Sequence, residues 1–359
     1  MTCKKAIPAI QLALVLVTLV IYSSCKPSDS RNQIFFTTRG VVLSTNDLNT
    51  LDWPKIAKEA GLTTIATHIT PSRVAAFIQS SNGQKFLKEC KELGLEVEHE
   101  LHAINDLLPR DLFKEDSGMF RMNEEGRRVA DYNLCVHSEK ALKIVSENAV
   151  RFAKILTPTT GRYFYWIDDG KPMCHCPLCN QYSDSEQALI LENTLIKALR
   201  KFDPKATLAH LAYYNTMVPP VKVKPEQGIF LEFAPIQRSY KSPLSDMNAH
   251  VESTGIPTIS THNQLLELLD ENLRVFGKEN AQVLEYWIDC SRFSKWAKPA
   301  KKLPWNKSVF LQDIEVYAKK GIRNITSFAV YIDAEYLQTY KDISFINEYG
   351  RGLKEYTGE

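Results

Sequence analysis

The stretch Tyr163-Phe-Tyr-Trp-Ile-Asp-Asp-Gly170 places five apolar or aromatic residues in a row before two carboxylates and a glycine. A short run that is apolar on both faces suits a strand inside a parallel sheet, covered by helices on one side and by other strands' side chains on the other. Gly170 lets the chain turn sharply at the strand end. Successive strand residues alternate faces, so Asp168 and Asp169 leave the strand in different directions.

Similar runs recur on either side. Gly40–Ser44, Thr63–Ile69 and Glu96–Ala103 precede Arg162–Ile167, and Thr207–Tyr214, Gly228–Ile236, Gln282–Ile288 and Ile325–Ile332 follow it. Between them lie stretches with apolar residues at helical spacing: Trp53–Ala60, Ser72–Leu93, Ser138–Leu156, Asp184–Phe202, Asn263–Phe276, Lys307–Lys320 and Glu335–Lys354. The fifth strand is followed only by a proline-containing link, Met217–Glu226. Gly61, Gly94 and Gly321 stand where helices stop, each shortly before a strand. Strict alternation predicts a parallel sheet with right-handed crossovers. Every strand has a successor until the chain ends, and no Gly-rich nucleotide loop follows any strand, so closure is favoured over an open doubly wound sheet. The expected fold is α/β, a (β/α)8 TIM barrel over residues 34–359, with its chemistry at the C-terminal strand ends.

Those ends carry the candidate residues. Asp168 and Asp169 could divide labour, one orienting or polarising while the other, raised in pKa by that charge, serves as general acid. The alternative for Asp168 is a cap on the following turn. On strand three, Glu96, Glu98, Glu100 and His102 share one face. Glu100 and His102 face a ligand, or the stripe pairs with Arg or Lys inside the barrel. Strand seven offers Glu285 as a further catalytic carboxylate, Asp289 as a binding carboxylate and Trp287 as a platform for a sugar ring; barrel glycosidases set carboxylates after strands four and seven. Tyr213, Tyr214 and Asn215 add aromatic and amide surface after strand five. Cys174, Cys176 and Cys179 have metal-ligand character, with a structural zinc or a disulfide as alternatives and a bracing role in either case. No other cofactor is expected. Cys90, Cys135 and Cys290 are scattered and read as buried thiols, or as one disulfide plus a spare.

The N-terminus reads as a lipoprotein signal. Lys4 and Lys5 precede the apolar run Leu12–Ile21, and Ser23-Ser24 lead directly into Cys25. Residues 1–24 are the expected signal peptide, Cys25 the lipidated residue and residues 25–33 a tether, giving a membrane-anchored protein, periplasmic or at the cell surface. The full chain has 44 basic and 42 acidic residues, and the signal contains two lysines and no acids, which leaves 42 of each sign. A neutral mature protein has no electrostatic footprint for nucleic acid.

Two motifs carry a family resemblance. Asp168-Asp169-Gly-Lys-Pro-Met-Cys174-His-Cys176-Pro-Leu-Cys179 resembles the Asn-Asp-x-x-x-Tyr-Cys-x-Cys-x-x-Cys signature of the bacterial domain of unknown function 4838 family, which overlaps glycoside hydrolase family 163. Ala212-Tyr213-Tyr214-Asn215-Thr216-Met217-Val218-Pro219-Pro220 resembles that family's Ala-Tyr-x-x-Thr-x-x-Pro-Pro. The resemblance implies an endo-β-N-acetylglucosaminidase-like barrel, a glycan ligand and a substrate-assisted mechanism with Asp169 at the family aspartate. Asp168 stands at the family asparagine, and Gln237 where many relatives have glutamate. The departures leave room for a non-catalytic glycan-binding lipoprotein on the same barrel.

Overall fold

The computed structural model describes residues 34–252 and 259–358; the signal, Cys25 and the tether lie outside the described residues. Eight strands form one closed parallel barrel: β1 Thr38–Ser44, β2 Thr64–His68, β3 Glu96–His102, β4 Arg162–Trp166, β5 Thr207–Ala212, β6 Ile229–Phe233, β7 Gln282–Glu285 and β8 Asn324–Phe328. Each pairs with its neighbour in sequence. The ring closes where Thr38 of β1 stands beside Asn324 of β8 and Val42 beside Phe328. The fold is the (β/α)8 barrel expected from the alternation.

Local chemistry sets the helix limits. Ser183 caps the helix Asp184–Phe202 through a reciprocal bond with Glu186, and Thr261 caps His262–Phe276 in the same way with Gln264. Gly61 and Gly94 end their helices in the left-handed conformation, at φ of 80° and 66°. The stretch expected as one helix over Ser72–Leu93 is two, Pro71–Gln79 and Ser81–Leu93. Ser80 is extended there and caps the second helix, which crosses the first so closely that a Cβ on Gly83 would lie 2.0 Å from the Phe77 carbonyl oxygen. The last expected helix is likewise split, into Ala334–Tyr340 and Ser344–Glu355, with Lys341 left-handed between them.

The barrel interior is polar at its centre. Arg162 donates to Glu98 at 3.4 Å and to Gln282 at 2.7 Å, and its guanidinium lies over the Phe230 ring. Gln282 in turn donates to Glu100 at 3.2 Å and Glu232 at 2.9 Å. Burial, then mutual repulsion, pushes Glu100 well above the ordinary carboxylate range; burial pushes Glu232 up to about 8. Arg162 thus pairs with Glu98, while burial favours the neutral forms of Glu100 and Glu232. Glu100 was expected to meet a ligand; instead it belongs to this buried floor, the pairing alternative for the glutamate stripe.

β7 is phased by Gln282. Since Gln282 points inward, Leu284 and Tyr286 follow it inward, and Glu285 and Trp287 point out toward the helices. The Glu285 carboxylate is fully buried there and accepts from Tyr317 at 2.5 Å, Tyr240 at 3.0 Å and Arg238 at 3.4 Å. Asp313 binds the other side of Arg238 and accepts from the Trp287 indole at 2.8 Å. Neither Glu285 as a catalytic carboxylate nor Trp287 as a sugar platform matches this placement: both lie behind the barrel wall.

Candidate active site

A cavity of about 880 Å³ opens at the C-terminal ends of the strands, the end where barrel enzymes keep their chemistry. Trp166 of β4 lines its base, and its indole donates to Glu232 at 2.7 Å, tying the cavity to the polar floor. Tyr213 and Tyr214 line one side just past β5, and Tyr286 and Asp289 line the side past β7. These residues lie beyond the last ladder pairs of short strands, where the chain is free to turn inward over the mouth.

Asp169 projects into this cavity with its side chain 60% exposed. His102 stands 3.9 Å away through Nε2. A carbonyl only accepts, so the 2.8 Å contact between His102 Nδ1 and the Ile167 carbonyl places the Nδ1 proton and leaves Nε2 turned to Asp169. His68 is fixed in the same manner against the Glu100 carbonyl, at 2.7 Å. Burial, then the neighbouring His102, lowers His68 to about 3, so it is a neutral ring at physiological pH. Burial holds the phenols of Tyr213, Tyr214 and Tyr286 in their protonated form, and the Asp169 charge adds to the effect on all three. Asp169 thus shares the cavity with three tyrosines and has one imidazole beside it.

Asp289 lies 3% exposed, and burial lifts its carboxyl to about 6 despite the opposing bonds from Ser291. Its Oδ1 caps the short helix Cys290–Phe293, accepting from the Ser291 amide at 3.0 Å and hydroxyl at 2.6 Å. Two carboxyls in one cavity, one well exposed and one desolvated, make the kind of pair that separates an orienting group from a proton donor.

The family described as Domain of unknown function (DUF4838) matches residues 67–343. The chain belongs to the DUF4838 family. No curated protein matches the sequence. Among solved structures, a β-N-acetylhexosaminidase from Bacteroides fragilis is similar at TM-score 0.53 and 10% identity, over 88% of this chain and 65% of that one. An endo-β-1,4-glucanase from Bacillus licheniformis is similar at TM-score 0.50 and 9% identity, over 90% of this chain and 60% of that one. This chain thus spans less than two thirds of either enzyme, and at these identities the likeness is one of fold.

Within this DUF4838 barrel the remaining expected residues sort by placement. Asp168 turns away from the cavity: its Oδ2 accepts from Arg110 at 2.9 Å and from the Asn133 amide at 2.7 Å, while its own N–H donates to the Asn133 side chain at 2.9 Å. Its place among the catalytic residues is corrected to that of a loop anchor beside Asp169. Asn215 was expected to bind substrate; it donates to Asp184 at 2.6 Å and to the Lys171 carbonyl, which makes it a brace. Cys174, Cys176 and Cys179 are buried in one group, joined there by Cys135.

Several cavity residues carried no sequence signal. Lys298 reaches the rim and pairs with Asp333 at 2.5 Å and Glu335 at 3.1 Å. Trp296, 62% exposed, and Tyr331 line the mouth with φ of 55° and 72°. Tyr214 is left-handed as well, at φ 45°. Left-handed backbone at aromatic residues costs on the order of 1–3 kcal/mol each and persists where surrounding structure over-determines it, often around a functional cavity.

Proposed function

We propose that this protein is a glycoside hydrolase that cleaves a glycan containing N-acetylhexosamine, with the substrate's own 2-acetamido group as nucleophile. The observation that carries the reading is the pairing of exposed Asp169 with desolvated Asp289 in an aromatic cavity at the catalytic end of the barrel. The family motif around Asp169 and the hexosaminidase fold likeness support it. In this scheme Asp169, aided by the Tyr213 hydroxyl, orients the acetamide so that its carbonyl oxygen attacks C1. Asp289 gives its proton to the leaving glycosidic oxygen as the C1–O bond breaks. Water then attacks C1 of the cyclic intermediate and returns a proton to Asp289, restoring the acetamide and freeing the sugar. The finer likeness to glycoside hydrolase family 163, an endo-acting family, belongs to the same reading.

A second reading is a glycan-binding protein without turnover, favoured by the commitment of Asp289 Oδ1 to capping Ser291. Incubation with glycoproteins bearing complex N-glycans, with glycan-array binding in parallel, separates the two. Released glycans with new reducing ends support hydrolysis, whereas array binding without release supports the second reading.

The barrel is further proposed to sit at a membrane through lipid on Cys25, because small residues lead from a short apolar run into that cysteine. Among the described residues no helix is long and apolar enough to cross a membrane. Radiolabelled palmitate should enter the wild type and not Cys25→Ala; equal labelling of both removes the proposal.

A further inference from the structure

The cysteine cluster lies outside the cavity and takes no part in the reaction above. Cys135 comes from the long segment between β3 and β4, and Cys174, Cys176 and Cys179 come from the loop after β4. All four sulfurs lie within 4.8 Å of one another, and all four residues are buried. Cys135 Sγ is 3.7 Å from Cys176 Sγ and 3.9 Å from Cys179 Sγ. A tetrahedral ion with four thiolates at about 2.3 Å sets its sulfurs about 3.8 Å apart, so these two separations are those of a tetrahedral cage.

Two fixed donors face Cys174, and an imidazole nitrogen faces Cys179. The Met122 amide points to Cys174 Sγ at 3.3 Å, and the Arg128 guanidinium approaches the same sulfur at 3.6 Å. His137 Nδ1 lies 3.3 Å from Cys179 Sγ. Amide and guanidinium N–H groups aimed at sulfur stabilise thiolates, as does His137 in the tautomer with its proton on Nδ1, and an ion with four thiolates carries a net negative charge that such donors and one nearby arginine offset. Two disulfides would instead draw the sulfurs into bonded pairs at about 2.05 Å, and a bond between Cys174 and Cys176 would close a tight ring across one residue.

We propose that Cys135, Cys174, Cys176 and Cys179 bind one zinc ion, which bolts the segment before β4 to the loop after it. The position gives this a purpose. Cys135 lies two residues beyond Asn133, whose amide and side chain clasp Asp168, and whose Nδ2 also donates to the carbonyls of Lys171 and Pro172. Cys174 lies five residues beyond Asp169. The ion would hold both sides of this clasp, and through it the direction of Asp169.

The test is metal content and thiol state of the full chain, purified without chelator or added reductant. About one zinc per chain is expected by inductively coupled plasma mass spectrometry, with the four thiols alkylated under denaturing chelation without prior reduction. Cys135→Ser should reduce zinc at least ~10-fold, while Cys290→Ser, a buried thiol elsewhere, should retain it. Should Cys135→Ser fail to fold, cobalt exchange into the wild type decides: intense thiolate-to-cobalt absorption with tetrahedral d–d bands is expected. Disulfides among these cysteines, or a folded wild type that retains neither zinc nor cobalt, would overturn the proposal.

Discussion

Replacing Asp169 by asparagine is expected to lower turnover by about 10²-fold or more on any glycan the wild type cleaves, the scale on which acid–base or orienting carboxylates act. The fold should be unaffected. Asp169 is largely exposed, and the anchoring contacts of its loop belong to Asp168, Asn133 and Arg110 instead. Asparagine keeps the size of the side chain but cannot hold the acetamide N–H of a substrate with a charged oxygen. Array binding should persist, so the loss should appear in kcat far more than in KM. Turnover by Asp169→Asn equal to wild type would remove Asp169 from the mechanism.

The second large effect is on stability. Glu285→Gln is expected to destabilise the protein by about 3 kcal/mol or more, and to lower Tm by roughly 6 °C or more at the usual scaling for large domains. The carboxylate accepts from Tyr317, Tyr240, Arg238 and the Tyr286 amide in a site without exposure. An amide offers one acceptor and turns two donors toward those donors. Asp313 still pairs with Arg238 in the variant, so the cost falls on the buried donors that lose a charged acceptor. Turnover per folded molecule should stay at the wild-type level because Glu285 lies behind the wall. A variant as stable as wild type would mean that the charge is not what holds this layer together.

The alternation of strands and helices was legible because most barrel strands are short apolar or β-branched runs and the longer helices have one apolar face, and Gly61, Gly94 and Gly321 marked the stops. The same property hid the facing of β7. A strand buried on both sides has no polar–apolar alternation to phase it, so Glu285 and Trp287 read as plausibly inward as Tyr286. The inward Gln282, packed among Glu100, Glu232 and Thr326, settles the phase only once the ring has closed. Asp169, His102, Tyr213, Tyr214 and Asp289 were placed at the mouth by strand ends alone, and they line one cavity. Cys135 was not, because the segment between β3 and β4 has only short helical turns and one isolated bridge before the helix Glu139–Ala153. Nothing periodic links it to the cysteines after β4. Trp296 and Tyr331 escaped for a different reason: bulky residues in left-handed backbone contradict local preference, and tertiary contacts impose the conformation.

The most direct test of the central claim is kcat/KM against pH on a glycoprotein bearing complex N-glycans, whose leaving group needs a proton, for the wild type and Asp289→Asn. Burial raises the Asp289 carboxyl above its ordinary value, so the proton a general acid must donate is present below about 6 and is lost as pH rises through it. Asparagine retains an acceptor for the Ser291 cap, so the helix start survives in the variant. Wild-type hydrolysis with an alkaline limb near pH 6, and a variant with low activity and no such limb, is the expected result. No hydrolysis at any pH, or an unchanged limb in Asp289→Asn, would contradict the assignment of this cavity as a glycosidase site with Asp289 as its acid.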